Sequence, residues 1–299
     1  MVGSDIKIHT PYDGSSKPFT IGLSQLDDTQ WLDEDESHAR YIEEKLNLYK
    51  TLPDKVLVED ECTQEAQNEV LALIQSHLQN RYPHIDQHTD EFSNKLKLSP
   101  LARAALLVQE DLVLMRKSAE GWKLVAASLC FPSAWNLLEK FRKPLHEIHA
   151  PVPDFGEGTR NASLIERMFD NLDPARSVLR WNWSLYGDDK LYHPASDNNM
   201  KNRFGVGEDI KGRVIVRLER QTLRKLPQSG DILFTIRIYN DPLEALLRHA
   251  EGKALARSIE QQIMALTDDQ IAYKGLTDER TRLCVRLRDI AEQARQRST

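Results

Sequence analysis

The chain has 299 residues, 40 % of them hydrophobic, enough to bury one large core or a core with helical additions. Its formal net charge of -6, with 29 % charged residues, leaves no overall basic field to hold a polyanion, which argues against nucleic acid as a partner. No stretch approaches the roughly 18 apolar residues that a spanning helix needs, so a soluble, cytoplasmic protein with no membrane partner is expected.

Apolar residues recur at helical spacing over 36–49 and 63–78, the second run carrying Val70, Leu71, Ile74 and Leu78. The polar stretch 83–94 reads as a loop, and a further helix is expected over 100–107, closing a mainly helical part at residues 1–108. The period then changes. Short apolar runs at 111–115 and 122–131 flank the polar tip 117–121, a hairpin signal. Two helices are expected next, over 132–141 and 161–171, the second capped by Asn161 and presenting Leu164, Ile165 and Met168 on one face. Strand-like runs follow at 177–185, 213–220 and 231–239, the last alternating Ile232, Phe234, Ile236 and Ile238. Ser229 and Gly230 predict a tight turn before that strand, with Gly230 at positive φ. From Asp241 the pattern is helical to the end. The sum is an α+β chain read as a single domain over 1–299: a five-stranded antiparallel sheet within 109–240 with a covered face, and helical parts before it and at 241–299.

Cys62, Cys130 and Cys284 lie far apart and show no CxxC spacing, so neither an iron-sulfur cluster nor a zinc knuckle is indicated. With no GxGxxG or Walker-type loop either, flavin or nicotinamide chemistry would belong to a partner.

Three stretches pack unusual residues into turns or strand ends: CFPSAW with EKFRKPLHEIHAPVP (130–153), RWNWSL (180–185) and ERQTLRKLPQSGDILFTIRIY (219–239). Together with PYDG near Pro11, WL at Trp31 and DPLE at Asp241, they resemble the haem-dependent oxidative N-demethylase alpha-subunit-like family. Lys225 stands where that family's third motif has an arginine, a conservative change. The resemblance implies a PAS-like sheet holding a b-type haem. It also implies oxygen-dependent demethylation of dimethylamine to methylamine and formaldehyde, with FMN, [2Fe-2S] and NAD(P)H confined to a reductase partner. The competing class is a haem-based gas or redox sensor without turnover.

Haem iron needs an axial ligand, and neutral imidazole is the commonest nitrogen donor. His149 ranks first, because Pro151 and Pro153 stiffen its segment into an expected extended path. Cys130 ranks second, since a thiolate favours O–O cleavage, and His193 third. An i, i+3 pair of His146 and His149 has zinc spacing without an evident third ligand, and His84 with His88 reads as solvated surface. Arg237 and Arg224 are the cations expected for the haem propionates, with Arg180 and Arg217 weaker because sheet arginines are ordinarily solvated. A secondary amine is cationic, so its pocket should offer a carboxylate or an aromatic face: Glu219 is the expected carboxylate and Tyr186 its companion. Trp181 and Trp183 share one side of their strand, and Trp183 is expected either to wall the haem or to anchor the core.

Overall fold

The computed structural model describes residues 9–85, 96–195, 203–207 and 209–296. The seventh strand shows how the sequence builds the sheet. Ile232, Ile236 and Ile238 point to one side and Leu233, Thr235, Arg237 and Tyr239 to the other, and all seven are buried. A strand buried on both sides needs cover on both, and the chain supplies it.

The strands are β1 (Ser24–Gln25), β2 (Leu57–Glu59), β3 (Asp111–Ser118), β4 (Gly121–Ser128), β5 (Val178–Tyr186), β6 (Ile215–Lys225) and β7 (Ile232–Pro242). They form one antiparallel sheet in the order β1-β5-β6-β7-β3-β4-β2. The five long strands are those expected from sequence. The sheet nevertheless has seven, because β1 pairs the outer side of β5 and β2 that of β4. Gly230 closes the turn before β7 at φ 74°.

The helices are α1 (His38–Thr51), α2 (Pro53–Val56), α3 (Gln64–Arg81), α4 (Pro100–Ala105), α5 (Leu137–Lys140), α6 (Leu145–His149), α7 (Arg160–Asp170), α8 (Gly252–Ala265), α9 (Asp268–Tyr273) and α10 (Arg280–Gln296). One face of the sheet, called here the first face, packs Val113, Leu124, Ile236 and Ile238 against Tyr41 and Leu48 of α1 and Leu145, Ile165 and Phe169 of α6 and α7. The opposite face packs Leu112, Leu114 and Leu233 against Val70, Ile74 and Leu101 of α3 and α4. Further along it, Trp183, Leu185 and Leu218 meet Leu255, Ile259 and Leu287 of α8 and α10. No helix among the described residues is long and apolar enough to cross a membrane.

Two expected helices differ from the structure. Only Leu137–Lys140 of 132–141 is helical, because the Phe131 and Pro132 carbonyls accept from the Arg217 guanidinium and Ala134 turns left-handed at φ 61°. The cap of α7 is Thr159 rather than Asn161: its hydroxyl accepts from the Ala162 N–H at 3.2 Å. Most of the predicted loop 83–94 falls outside the described residues, as do His88 and Asp90.

Candidate haem-facing site

Strand pairing decides which predicted residues can meet. Register pairs Asn182 with Glu219, Arg180 with Gln221 and Ser184 with Arg217, so these six side chains share the first face. Tyr186, at the same parity as Arg180 and Asn182, lies there too. The helices α6 and α7 cover this face, and they bring His149 to it.

Pro144 caps α6 at φ -72°, and Pro151 follows it, so the helix is held to one turn and a little more. His149 is its last residue, not part of an extended path as the prolines alone had implied. Helical geometry puts its Nδ1 at 2.9 Å from the Leu145 carbonyl, one turn back. A carbonyl only accepts, so Nδ1 carries the proton and the lone pair sits on Nε2. No described residue bonds to Nε2. Burial pushes the imidazole down to about 4, Arg180 and Lys140 adding to the effect against the Leu145 hydrogen bond. The ring therefore stays neutral at pH 7, the form a metal requires. The segment presenting it carries three left-handed non-glycine residues, Ala134, Arg142 and Asp154, a concentration of backbone strain of the kind found at working sites.

Glu219 is the acid of this face. Its carboxylate accepts from Gln221 Nε2 at 2.6 Å and from Asn182 Nδ2 at 3.3 Å, which fixes its orientation. Arg180 donates through Nη2 to the Thr20 carbonyl at 3.3 Å, while its buried Nε has no partner. Burial lowers the Arg180 pKa, and Glu219 and Tyr273 oppose that. The end of α9 completes the group. Lys274 donates to the Trp183 carbonyl at 2.7 Å, and burial pushes it down to about 8 against the pull of Glu219. Tyr273 is 45 % exposed, and partial desolvation of its phenol, with Glu219 and Tyr186 nearby, raises its pKa. Tyr186 lies between the guanidinium groups of Arg203 and Arg217, at 4.6 and 5.4 Å from its ring, and burial raises its pKa.

Arg237 and Arg224 do not join this group, and Trp183 meets it only through Lys274, whose Nζ lies 5.0 Å from the centre of its ring. Arg237 and Arg224 sit at the other parity of β7 and β6, and Trp183 at the other parity of β5, so their side chains leave the sheet on the face away from His149, although the Arg237 guanidinium reaches the Tyr41 ring. Arg237 is fully buried, donating to the Asp33 and Ile238 carbonyls and to Asp35, with its guanidinium over Tyr41 and Tyr239. Trp183 packs edge-on against Tyr12 in the core under α8–α10. Arg224 lies over Trp31. Arg217 is no solvated sheet arginine: it is 1 % exposed and donates to Ser133 and to the Phe131, Pro132, Lys190 and Leu191 carbonyls.

The rival ligands fare differently. Cys130 is fully buried, and burial together with Asp111 raises its thiol well above the usual range, which disfavours a thiolate. His193 lies at 2.9 Å from the Asp188 carboxylate with its ring on Tyr186, and burial holds it at about 4. Among the described residues no group of three or more His, Cys, Asp or Glu side chains could hold a bare metal ion, so His146 and His149 have no third ligand for zinc.

A half-buried, neutral imidazole whose Nε2 has no partner among the described residues, beside Phe155 and under the charge of Arg180, suits a haem far better than a bare ion. The family model described as haem-dependent oxidative N-demethylase, alpha subunit-like, matches residues 22–284. The chain belongs to that family. The match takes in all three motifs, every strand of the sheet and the His149 segment. The description carries haem dependence and oxidative N-demethylation as the general kind of function, and "alpha subunit" implies an assembly with a further subunit.

Tyr273 and Lys274 escaped the sequence reading. They come from a short helix far along the chain, and a Tyr-Lys pair ending a polar helix carries no local signal of facing a site.

Proposed function

We propose that this protein holds a b-type haem on the first face of its sheet, over β5 and β6 and beside α6, with His149 Nε2 as axial ligand. The reading extends to the reaction: oxidative demethylation of a small secondary amine, dimethylamine, to methylamine and formaldehyde. The overall change consumes one O2, two electrons and two protons and releases one water. The electrons come from a partner bearing FMN and [2Fe-2S] and fed by NAD(P)H. A PAS-like description of the core is supported by the five long strands, with α5–α7 inserted after the β3–β4 hairpin.

The observation that carries the proposal is His149: desolvated, kept neutral, and oriented by the Leu145 carbonyl so that Nε2 alone is available. Arg180, with an unpartnered Nε on the same face, is the side chain best placed to meet a propionate, in preference to Arg237 or Arg224. The haem, when bound, supplies the oxygen activation. The chain's own residues do the rest. Glu219, steadied by Asn182 and Gln221, draws the cationic amine in and accepts its proton, leaving a neutral nitrogen whose methyl group can be oxidised. Tyr186 walls that space with an aromatic face held between two arginines.

The test is formaldehyde release by the haem-loaded protein given dimethylamine, O2 and a reductase. Glu219→Gln keeps the shape and removes the charge, so it is expected to lower turnover 100-fold or more (a general-base loss on the order of 10²) while leaving the haem spectrum unchanged. No formaldehyde from the wild type, or full activity in the variant, would contradict the reading.

A further inference from the structure

The opposite face of the sheet holds a second polar site, remote from His149. A hollow of about 370 Å3 opens between the turn at Asp28–Gln30, α3 and the end of β6, lined by Asp28, Leu73, Ser76, His77, Arg81 and Arg224. Its side chains are arranged around Trp31, which is fully buried. The Arg224 guanidinium lies 4.7 Å over the Trp31 ring, and the His77 imidazole meets the same ring edge-on at 5.4 Å.

Both basic groups lack acceptors. Arg224 Nε and His77 Nε2 are buried atoms with no hydrogen-bond partner, and neither side chain forms an ion pair with a described residue. Buried donors are ordinarily satisfied, and an arginine on an aromatic ring has the face of the ring as company but not a lone pair. Four residues back on the same side of β6, Arg220 donates to the Trp31 and Gln30 carbonyls, adding positive charge with no carboxylate bonded to it. Burial, Arg224 and Arg81 together lower the His77 pKa, so the ring is neutral at pH 7. The one carboxylate in the lining, Asp28, is exposed and bonds to neither cation.

We infer that this hollow is a binding site for a small oxyanion, a phosphate or carboxylate group borne by a soluble molecule, gripped by Arg224 with His77 and Arg81 as further donors. A planar guanidinium fixed by stacking presents its donor edge in one orientation, as bidentate oxyanion recognition requires. The volume admits such a group with a short appendage. The site is independent of the haem reading, because a covered sheet lies between them.

Calorimetric titration of the full-length protein with inorganic phosphate, and separately with acetate, tests it. Saturable binding at one site is expected for at least one of the two, and which one binds identifies the group. Arg224→Gln is expected to weaken it about tenfold or more, the loss of one charge-assisted contact. Asp28→Asn should tighten binding, and Lys225→Gln, at the other strand parity, should leave it unchanged. If circular dichroism shows Arg224→Gln to be misfolded, His77→Gln and Arg81→Gln decide by the same criterion. Absence of saturable heat for both anions up to about 20 mM, a concentration that would reveal even millimolar affinity, overturns the inference. So does unchanged affinity in folded variants of Arg224, His77 and Arg81.

Discussion

His149→Gln in the haem-free protein should remove a defined part of the acid sensitivity of the fold. An imidazole in the unfolded chain titrates near 6.5, whereas burial holds that of His149 at about 4 in the folded one. For a base so depressed, the unfolded state takes up the proton first, so stability declines as pH falls below about 6.5 and stops declining below about 4. At pH 5 the unfolded imidazole gains about 2 kcal/mol from protonation relative to pH 7, and the folded one gains almost nothing. His193, also held at about 4, adds a comparable decline that the substitution leaves in place. Urea unfolding at pH 7 and pH 5 should therefore show the wild type losing about 2 kcal/mol more than His149→Gln between the two. Parallel losses in the two proteins would mean that His149 titrates like a solvated histidine, and the desolvated imidazole on which the site depends would be gone.

The scaffold around the site yields two further expectations. Thr159→Ala removes the hydroxyl that accepts from the Ala162 N–H at the start of α7, and should cost about 1 kcal/mol in equilibrium unfolding. Serine at that position should restore most of it. Gly252→Ala places a Cβ 1.8 Å from the Leu246 carbonyl oxygen, a backbone atom that cannot swing aside. A loss on the order of 2 kcal/mol or more is expected, read as a lower melting temperature, with no change in the haem spectrum of the folded fraction.

Much of the fold is legible because the sheet is written in alternating residues: Ile232, Phe234, Ile236 and Ile238 mark β7, and the polar tip between two apolar runs marks the β3–β4 hairpin. What lies between those apolar residues was not legible. Arg217 read as solvated because a charge between apolar neighbours ordinarily faces water, and Arg237 read as a propionate cation. Here helices cover both sides, and carbonyls and Asp35 satisfy the guanidinium groups. The two-residue β1 and three-residue β2 are too short to carry any period. His149 was found through its motif but given the wrong backbone: flanking prolines favour an extended chain locally, yet Pro144 and Pro151 here bracket a single helical turn. The assignment of Glu219 and Tyr186 to one side, apart from Arg237, Arg224 and Trp183, needed the pairing register, which no local pattern supplies.

Haem titration of the wild type and His149→Gly, followed by absorbance with and without added imidazole, tests the central claim most directly. The account predicts one haem per wild-type chain with a histidine-ligated spectrum, its loss in His149→Gly, and its return when imidazole fills the space beside Leu145 and Phe155. A His149→Gly protein that keeps the wild-type spectrum without imidazole would place the axial ligand elsewhere and contradict the account.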